Sequence, residues 1–173
     1  VFASEIDEEA KKVYHQNFGL MPYGDITSVN MDQIPDHDLL CAGFPCQPFS
    51  IIGKRDGFDD ARDFLFFEVA KVVAEKRPKL VMLENVKQLA TASDGKILTC
   101  IISTLEALRY SVIWKVLNAL DHGLPQKRER ILILASRDSL DKFKWPQKIP
   151  TPSLKNILDS SPHPKHFVSD RIK

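Results

Sequence analysis

Short apolar stretches alternate with amphipathic helical stretches along most of this 173-residue chain, and this alternation limits the folds that it can adopt. Helices are predicted from an N-cap at Asp7 to Gly19, from Asp63 to Arg77 and over residues 95–109. Strands that alternate with helices of about ten to fifteen residues are typical of a doubly wound α/β fold with a mostly parallel sheet. The strands are predicted at residues 1–4, 37–42, 79–84, 110–118 and 131–135.

The composition excludes several classes of protein. Hydrophobic residues make up 43% of the chain, enough for a buried core and too many for a disordered tail. Lys plus Arg is 24 against 23 for Asp plus Glu, so the chain is not a general polycation, and contact with nucleic acid would need a local basic face. No apolar run approaches the ~20 residues that cross a bilayer, and no signal-peptide pattern opens the chain. We therefore predict no membrane partner.

The three cysteines are an odd number and form no CxxC pair. This count argues against a disulfide framework and against a metal site, and it favours a reducing, intracellular compartment. Cys41 lies within a predicted strand and Cys100 within a predicted helix, so we interpret both as buried packing residues. Cys46 differs because its neighbours, Pro45 and Gln47, are not core residues and stand in a turn-rich loop.

Doubly wound sheets bind ligands beyond the carboxyl ends of their strands. Glu5 ends the first predicted strand, where an acid in nucleotide-binding α/β folds accepts hydrogen bonds from ribose hydroxyls. Asp25 stands in a turn, Gly24–Thr27, where it could bind the amino group of an adenine. The alternatives are a solvated acid beside a helix N-cap for Glu5 and a turn-forming role for Asp25.

Two further strand ends carry unusual chemistry. Cys46 follows a predicted strand, and a thiol becomes a nucleophile where backbone amides or cations favour its thiolate. Glu84 ends a very apolar strand, where burial would favour the neutral carboxyl and let it donate a proton. The alternative for Glu84 is a structural ion pair with Arg128 or Arg130.

The basic run at residues 126–130 precedes the last predicted strand. In an extended segment Gln126, Arg128 and Arg130 would lie on one side, and arginine forks suit phosphate and carbonyl oxygens. The alternative is a solvated charged face.

The runs AGFPCQPFS (42–50), ENV (84–86) and QKRER (126–130), in this order, resemble the DNA cytosine-5 methyltransferases. The resemblance is greatest to the bacterial restriction–modification enzymes. Glu5, the GDI run at 24–26 and the DFLFF run at 63–67 fit motifs of the same family, so the resemblance covers roughly residues 3–135.

The resemblance implies a Rossmann-like, S-adenosylmethionine-dependent methyltransferase fold and a cytosine flipped out of duplex DNA as substrate. The product of the methyl donor would be S-adenosylhomocysteine. By the same resemblance, Cys46 would attack carbon 6 of the cytosine and Glu84 would hold ring nitrogen 3 and the exocyclic amine. Arg130 would bind the base carbonyl oxygen, and Arg128 would steady the site and a backbone phosphate.

The resemblance also assigns residues to the cofactor and to DNA. Glu5 would bind the ribose diol, Asp25 the adenine amine and Ile26 the adenine face. Ile6 stands where some relatives have an aromatic residue, so stacking there would be weaker. Pro45 and Leu65 would lie by the methionine moiety. The expected DNA contacts are Gln47, Ser50, Lys54, Arg55 and Gln126, with solubility as the alternative role for Lys54 and Arg55.

Several family motifs have no counterpart among these residues: the opening glycine-rich motif, the target-recognition region and the final two motifs. We therefore expect a fragment whose fold is incomplete at the N-terminus, with residues 1–145 as the catalytic domain and residues 146–173 as a proline-rich linker. The remainder of the same protein or a complementing chain would complete it, and these residues alone should be inactive. The expected location is the bacterial cytoplasm, at the nucleoid. A tRNA cytosine-5 methyltransferase and a non-catalytic DNA-binding fragment are the alternatives.

Overall fold

The computed structural model describes residues 1–45 and 65–163. These residues fall into two compact units. The first contains residues 1–117, apart from 46–64, and Glu129–Lys144; the second contains Asn118–Arg128 and the residues from Trp145 on. Among the helices of the described residues, none has the length and apolar character that spanning a bilayer requires.

A four-stranded sheet has the order β1-β2-β4-β3. The strands are β1 (Leu39–Gly43), β2 (Leu80–Val86), β3 (Ser111–Asn118) and β4 (Glu129–Ser136). β1 is parallel to β2, as predicted, whereas β4 runs antiparallel to β2. The connection from β3 to β4 contains only a short 3-10 turn. A parallel crossover needs about a dozen residues or more, so this short connection favours a reversal of chain direction between β3 and β4.

The predicted strand at residues 1–4 is reduced to a single parallel bridge between Ser4 and Tyr23. Its backbone bonds go to a segment about 20 residues further along the chain: the Glu5 N–H donates to Tyr23 O at 2.9 Å, and the Tyr23 N–H donates to Ala3 O at 2.8 Å. The Ser4 hydroxyl adds a bond to Gly24 O at 2.6 Å. The segment that ends at Glu5 is therefore fixed beside the segment that leads to Asp25.

The three α-helices are α1 (Glu8–Phe18), α2 (Leu65–Lys76) and α3 (Lys96–Ala107). The predicted ends of α1 are confirmed: Asp7 Oδ1 accepts from the Ala10 N–H at 2.8 Å, and Gly19 ends the helix with φ of 69°. Glycine suits this left-handed position because it has no Cβ to clash with the preceding carbonyl.

Helices α2 and α3 cover one face of the sheet. Strand alternation directs Val81 and Leu83 into this core, while Leu80 and Met82 on the opposite face of β2 are exposed. The core also contains the following buried side chains: Phe66, Val73, Ile101, Leu105, Ile131 and Ile133. The face on which a β2 residue lies therefore decides its burial.

The prediction that Cys41 and Cys100 are buried is wrong, because both are exposed. Cys41 lies on β1, at an edge of the described sheet, and its side chain alternates with the half-buried Leu40 and Ala42. Cys100 lies on the side of α3 away from the core-facing Ile101. Apolar surroundings in the sequence did not reveal which side of each element is covered.

Residues of the second unit are held to one another by bonds between its two segments. The Ile149 N–H donates to Asp121 O at 2.9 Å, and Lys148 pairs with the Asp121 carboxylate at 3.0 Å. The Thr151 hydroxyl donates to Leu120 O. The first part of the proline-rich stretch thus packs on the 118–128 loop, and its role as a linker stays a prediction.

Tyr110 follows α3 in the chain, and its side chain contacts the residues just before β2. Its buried hydroxyl donates to Pro78 O at 2.6 Å, and the Arg77 guanidinium lies 5.2 Å from the ring centroid. Burial raises the pKa of Tyr110, and the positive charges of Arg77 and Arg137 partly oppose that rise.

We expect Tyr110→Phe to lower the free energy of unfolding by about 1–2 kcal/mol at neutral pH, because the Pro78 carbonyl loses its donor. The raised pKa means that the folded state holds the phenolic proton more tightly than the unfolded state. This stabilisation is complete below the usual pKa of about 10 and declines as the pH rises through the folded value. Urea unfolding of the full-length protein from pH 7 to 11.5 tests both effects.

Tyr14→Phe is the matched control, because Tyr14 lies on α1, which has no buried residue. Equal stability losses for Tyr14→Phe and Tyr110→Phe would contradict this account of Tyr110.

Candidate functional site

The first part of the candidate site lies where β1, β2 and β4 run side by side. Gly43 is in register with Glu84, and Val86 is in register with Arg130. Arg130 Nε lies 2.8 Å from Glu84 Oε1. The two side chains are 29% and 42% exposed, so both are accessible to a ligand while they pair. A carboxylate and a guanidinium at the same strand ends can bind a group with adjacent donors and acceptors.

The prediction of a buried Glu84 carboxyl is wrong, because this side chain is 42% exposed. Glu84 has the same parity along β2 as the exposed Leu80 and Met82, so it lies on the face that α2 and α3 do not cover. The ion pair considered as the alternative for Glu84 is observed, with Arg130 as the partner.

Lys87 and Glu129 form a second ion pair next to the first. The main-chain oxygen of Glu129 also accepts a hydrogen bond from Arg130 Nη1 at 2.8 Å. These contacts fix the start of β4 against the end of β2 and orient the Arg130 guanidinium. Sequence reasoning missed this pair, although a lysine just after ENV and a glutamate within QKRER were visible.

A separate group of candidate residues consists of the two acids predicted to bind the cofactor. Glu5 Oε1 accepts from the Asp7 N–H, and Asp25 Oδ1 accepts from the Thr27 N–H, both at 2.9 Å. The bond from the Thr27 backbone, with a smaller contribution from its side chain, lowers the pKa of Asp25. The turn-forming role considered for Asp25 is thus observed. A carboxylate has about four lone-pair sites, so both acids can accept further bonds.

The apolar residues predicted to bind the cofactor differ in exposure. Ile6 is 71% exposed, beside Glu5 in the chain, whereas Ile26 is half-buried. Pro45 is exposed and lies two residues after the end of β1. Leu65 is half-buried and packs on the core at the start of α2.

The predicted nucleophile and four of the predicted DNA contacts lie outside the described residues. They are Cys46, Gln47, Ser50, Lys54 and Arg55.

Gln126 and Arg128 belong to the second unit. Both are exposed, and the Arg128 main chain is held by a bond from its N–H to Asn118 Oδ1 at 3.2 Å. The predicted alternation from residue 126 is wrong at Gln126, whose N–H donates to Leu124 O at 2.8 Å in a bend. The proline at position 125 and this local bond keep the segment from extending, so β4 begins only at Glu129.

Comparisons with known proteins agree on the class of this chain. The family model described as C-5 cytosine-specific DNA methylase matches residues 1–172. Type II methyltransferase M.HhaI of Haemophilus parahaemolyticus is 48% identical over 99% of the chain and 53% of its own length. Type II methyltransferase M.NgoBI of Neisseria gonorrhoeae is 48% identical over 100% of the chain and 55% of its own length. The chain thus spans about half the length of these relatives.

Solved structures share the fold. The Entamoeba histolytica methyltransferase EhMeth matches with a TM-score of 0.79 at 20% identity, over 99% of this chain and 55% of that one. A Spodoptera frugiperda DNMT2 mutant matches with a TM-score of 0.71 at 24% identity, over 95% and 54%. The predicted Rossmann-like α/β fold is therefore confirmed. With a family match over residues 1–172, the chain belongs to the C-5 cytosine-specific DNA methylases, a family of S-adenosylmethionine-dependent methyltransferases.

Proposed function

We propose that this protein transfers a methyl group from S-adenosylmethionine to carbon 5 of cytosine in duplex DNA. The observation that carries the proposal is the accessible Glu84–Arg130 pair, held at 2.8 Å beside the end of β1. β1 ends at Gly43, in register with Glu84, and only Phe44 and Pro45 separate Gly43 from Cys46 in the sequence. The chain therefore enters the segment that bears the thiol next to the carboxylate.

The chemistry requires a nucleophile because carbon 5 of cytosine is too electron-poor to accept a methyl group directly. The Cys46 thiolate forms a bond to carbon 6, which makes carbon 5 nucleophilic and divides one difficult step into easier ones. Glu84 holds ring nitrogen 3 and the exocyclic amine, and Arg130 holds the carbonyl oxygen, so that charge can develop on the ring. Carbon 5 would then take the methyl group of the donor, with S-adenosylhomocysteine as the leaving group. Loss of the carbon 5 proton to solvent would then restore the 5,6 double bond as the bond from carbon 6 to Cys46 breaks.

The pairing of Glu84 with Arg130 suits these roles in the absence of substrate. Each side chain satisfies the other while remaining partly exposed, so neither is an unpaired charge. An entering cytosine offers its amino group as a donor to the carboxylate and its carbonyl oxygen as an acceptor to the guanidinium, and can therefore replace part of the ion pair with charge-assisted hydrogen bonds. Ring nitrogen 3 is itself an acceptor, so its bond to Glu84 requires a proton between the two atoms.

The described residues fit the methyl donor. The carboxylates of Glu5 and Asp25 stand on segments joined by backbone hydrogen bonds, and they suit a ribose diol and an adenine amine respectively. Ile26 would contact the adenine face, and Pro45 and Leu65 the methionine part. When bound, S-adenosylmethionine supplies an electrophilic methyl group.

Access to carbon 6 requires the cytosine to leave the base stack, at a cost of about a few kcal/mol. We assign contacts with the DNA to Gln47, Ser50, Lys54, Arg55 and Gln126, and a phosphate contact to Arg128. Their roles stay predictions, as do the restriction–modification context, the cytoplasmic location and the need for further polypeptide to complete the enzyme.

The substrate class is tested with tritiated S-adenosylmethionine and the full-length protein. Label should appear in 5-methylcytosine of duplex DNA and not in transfer RNA. Label in transfer RNA alone would replace this proposal with the tRNA alternative, and label in neither would support the non-catalytic alternative.

A further inference from the structure

Asn85 is a polar residue in an apolar environment. It is 3% exposed, and among the described residues it and Ser136 are the buried polar side chains, besides the hydroxyl of the buried Tyr110. Asn85 has the same parity along β2 as Val81 and Leu83, so it points toward the core, on the opposite face to Glu84. Burial of an amide is unfavourable unless both its donor and its acceptor find partners.

Both ends of the Asn85 amide are hydrogen-bonded. Its Nδ2 donates to the main-chain oxygen of Phe44 at 2.8 Å, and its Oδ1 accepts from the Val86 N–H at 2.8 Å. The main-chain partners fix the orientation of the amide, because a carbonyl oxygen can only accept and an N–H can only donate. The side chain therefore has one arrangement that satisfies it.

The bond to Phe44 connects β1 and β2 beyond their last paired residues. The ladder ends with Gly43 opposite Glu84, and Phe44 is the next residue of the chain. The Phe44 ring is itself buried, with its centroid 5.9 Å from that of Phe66. The bond from the Asn85 amide holds the main chain of Phe44, and the packing of the Phe44 ring holds its side chain. The residue that follows β1 is therefore fixed through both its main chain and its side chain.

We propose that Asn85 is a positioning residue, which sets the point from which the chain departs toward Cys46 relative to the Glu84 carboxylate. The inference rests on the proposed roles of Cys46 and Glu84. Asn85 and Glu84 are adjacent in β2, so one strand carries the carboxylate on one face and the anchor of the thiol-bearing segment on the other. Two groups that act on the same ring need such a fixed separation, since misplacement by about 1 Å can cost 10²-fold in rate.

The test uses Asn85→Asp and Asn85→Ser in the full-length protein. Asn85→Asp keeps the size of the side chain and replaces the donor that faces Phe44 O with an acceptor, while Asn85→Ser shortens the side chain. We expect kcat to fall about 10²-fold. The KM for S-adenosylmethionine should change much less than kcat, because the acids assigned to the cofactor lie on other segments and only Pro45, among the residues assigned to it, follows Phe44 directly. The rate of covalent capture of 5-fluorocytosine DNA should fall in parallel with kcat.

Val81→Ala is the stability-matched control. Val81 is buried on the same face of the same strand, and its truncation leaves a cavity without touching the bond to Phe44. At equal loss of thermal stability, Val81→Ala should retain kcat within about twofold. If Asn85→Asp does not fold, Asn85→Ser provides the same comparison.

A kcat within about twofold of wild type in a folded Asn85 variant would overturn the inference, and so would an equal fall in kcat for Val81→Ala. Failure of the proposed function is a separate result, since it would appear as full activity after removal of the Cys46 thiol with the Asn85 side chain intact.

Discussion

Cys46→Ser is expected to reduce turnover of the full-length enzyme by at least about 10³-fold, while the affinity for DNA changes little. A serine hydroxyl is a far weaker nucleophile than a thiolate at neutral pH, so the bond to carbon 6 would not form. DNA affinity depends mainly on phosphate contacts, which this substitution leaves in place. Steady-state methylation and an electrophoretic binding assay at one salt concentration measure the two quantities.

Cys41→Ser is the matched control, because it makes the same atomic change five positions earlier in the chain, at an exposed site on β1. Its turnover should stay within about twofold of wild type, as expected for a surface substitution. More than about 0.1% residual turnover in Cys46→Ser, or an equal loss in Cys41→Ser, would refute the covalent role.

Glu84→Gln is expected to slow methylation by about 10²–10³-fold with little change in the affinity for S-adenosylmethionine. Glutamine keeps the size of the side chain and can still bond to Arg130, but it carries neither the negative charge nor a transferable proton. Because the loss concerns stabilisation of the reacting ring, it should appear in kcat more than in KM. Single-turnover methylation and a direct cofactor-binding titration separate the two.

Asp38→Asn controls for the loss of an ion pair as such. Asp38 pairs with Lys79 at 3.0 Å near the start of β2, at the opposite end of the strand from Glu84. Its removal should leave the methylation rate within about twofold, since an exposed pair contributes about 0–1 kcal/mol. A near-wild-type rate for Glu84→Gln would mean that the carboxylate serves only to hold Arg130.

Local signals in the sequence were enough to predict most elements of the fold. Asp7 and Gly19 mark the ends of α1 because capping depends on a few neighbouring backbone groups. The strand over 80–86 was recognised within two residues of its ends, because its apolar run is short and bounded by a proline and polar residues.

Burial at single positions could not be predicted, because it depends on which face of the sheet another element covers. The apolar neighbours of Glu84 and Cys41 suggested buried side chains, yet both lie on the face that α2 and α3 leave uncovered. Asn85 shows the reverse case: an amide that resembles a surface residue in the sequence is buried, because its partner at Phe44 lies 41 positions away. Direction in the sheet likewise depends on long-range pairing, and so the reversal at β4 was missed.

The most direct measurement of the central claim is covalent trapping on duplex DNA that contains 5-fluorocytosine, with S-adenosylmethionine present. Fluorine replaces the hydrogen at carbon 5 whose removal as a proton would release the enzyme. A sulfur–carbon bond formed at carbon 6 should therefore persist through denaturation. We predict one stable protein–DNA conjugate, which mass spectrometry of the proteolysed complex places on the peptide that contains Cys46. No conjugate, or a conjugate on a peptide containing Cys41 or Cys100 instead, would contradict the assignment of Cys46 as the nucleophile.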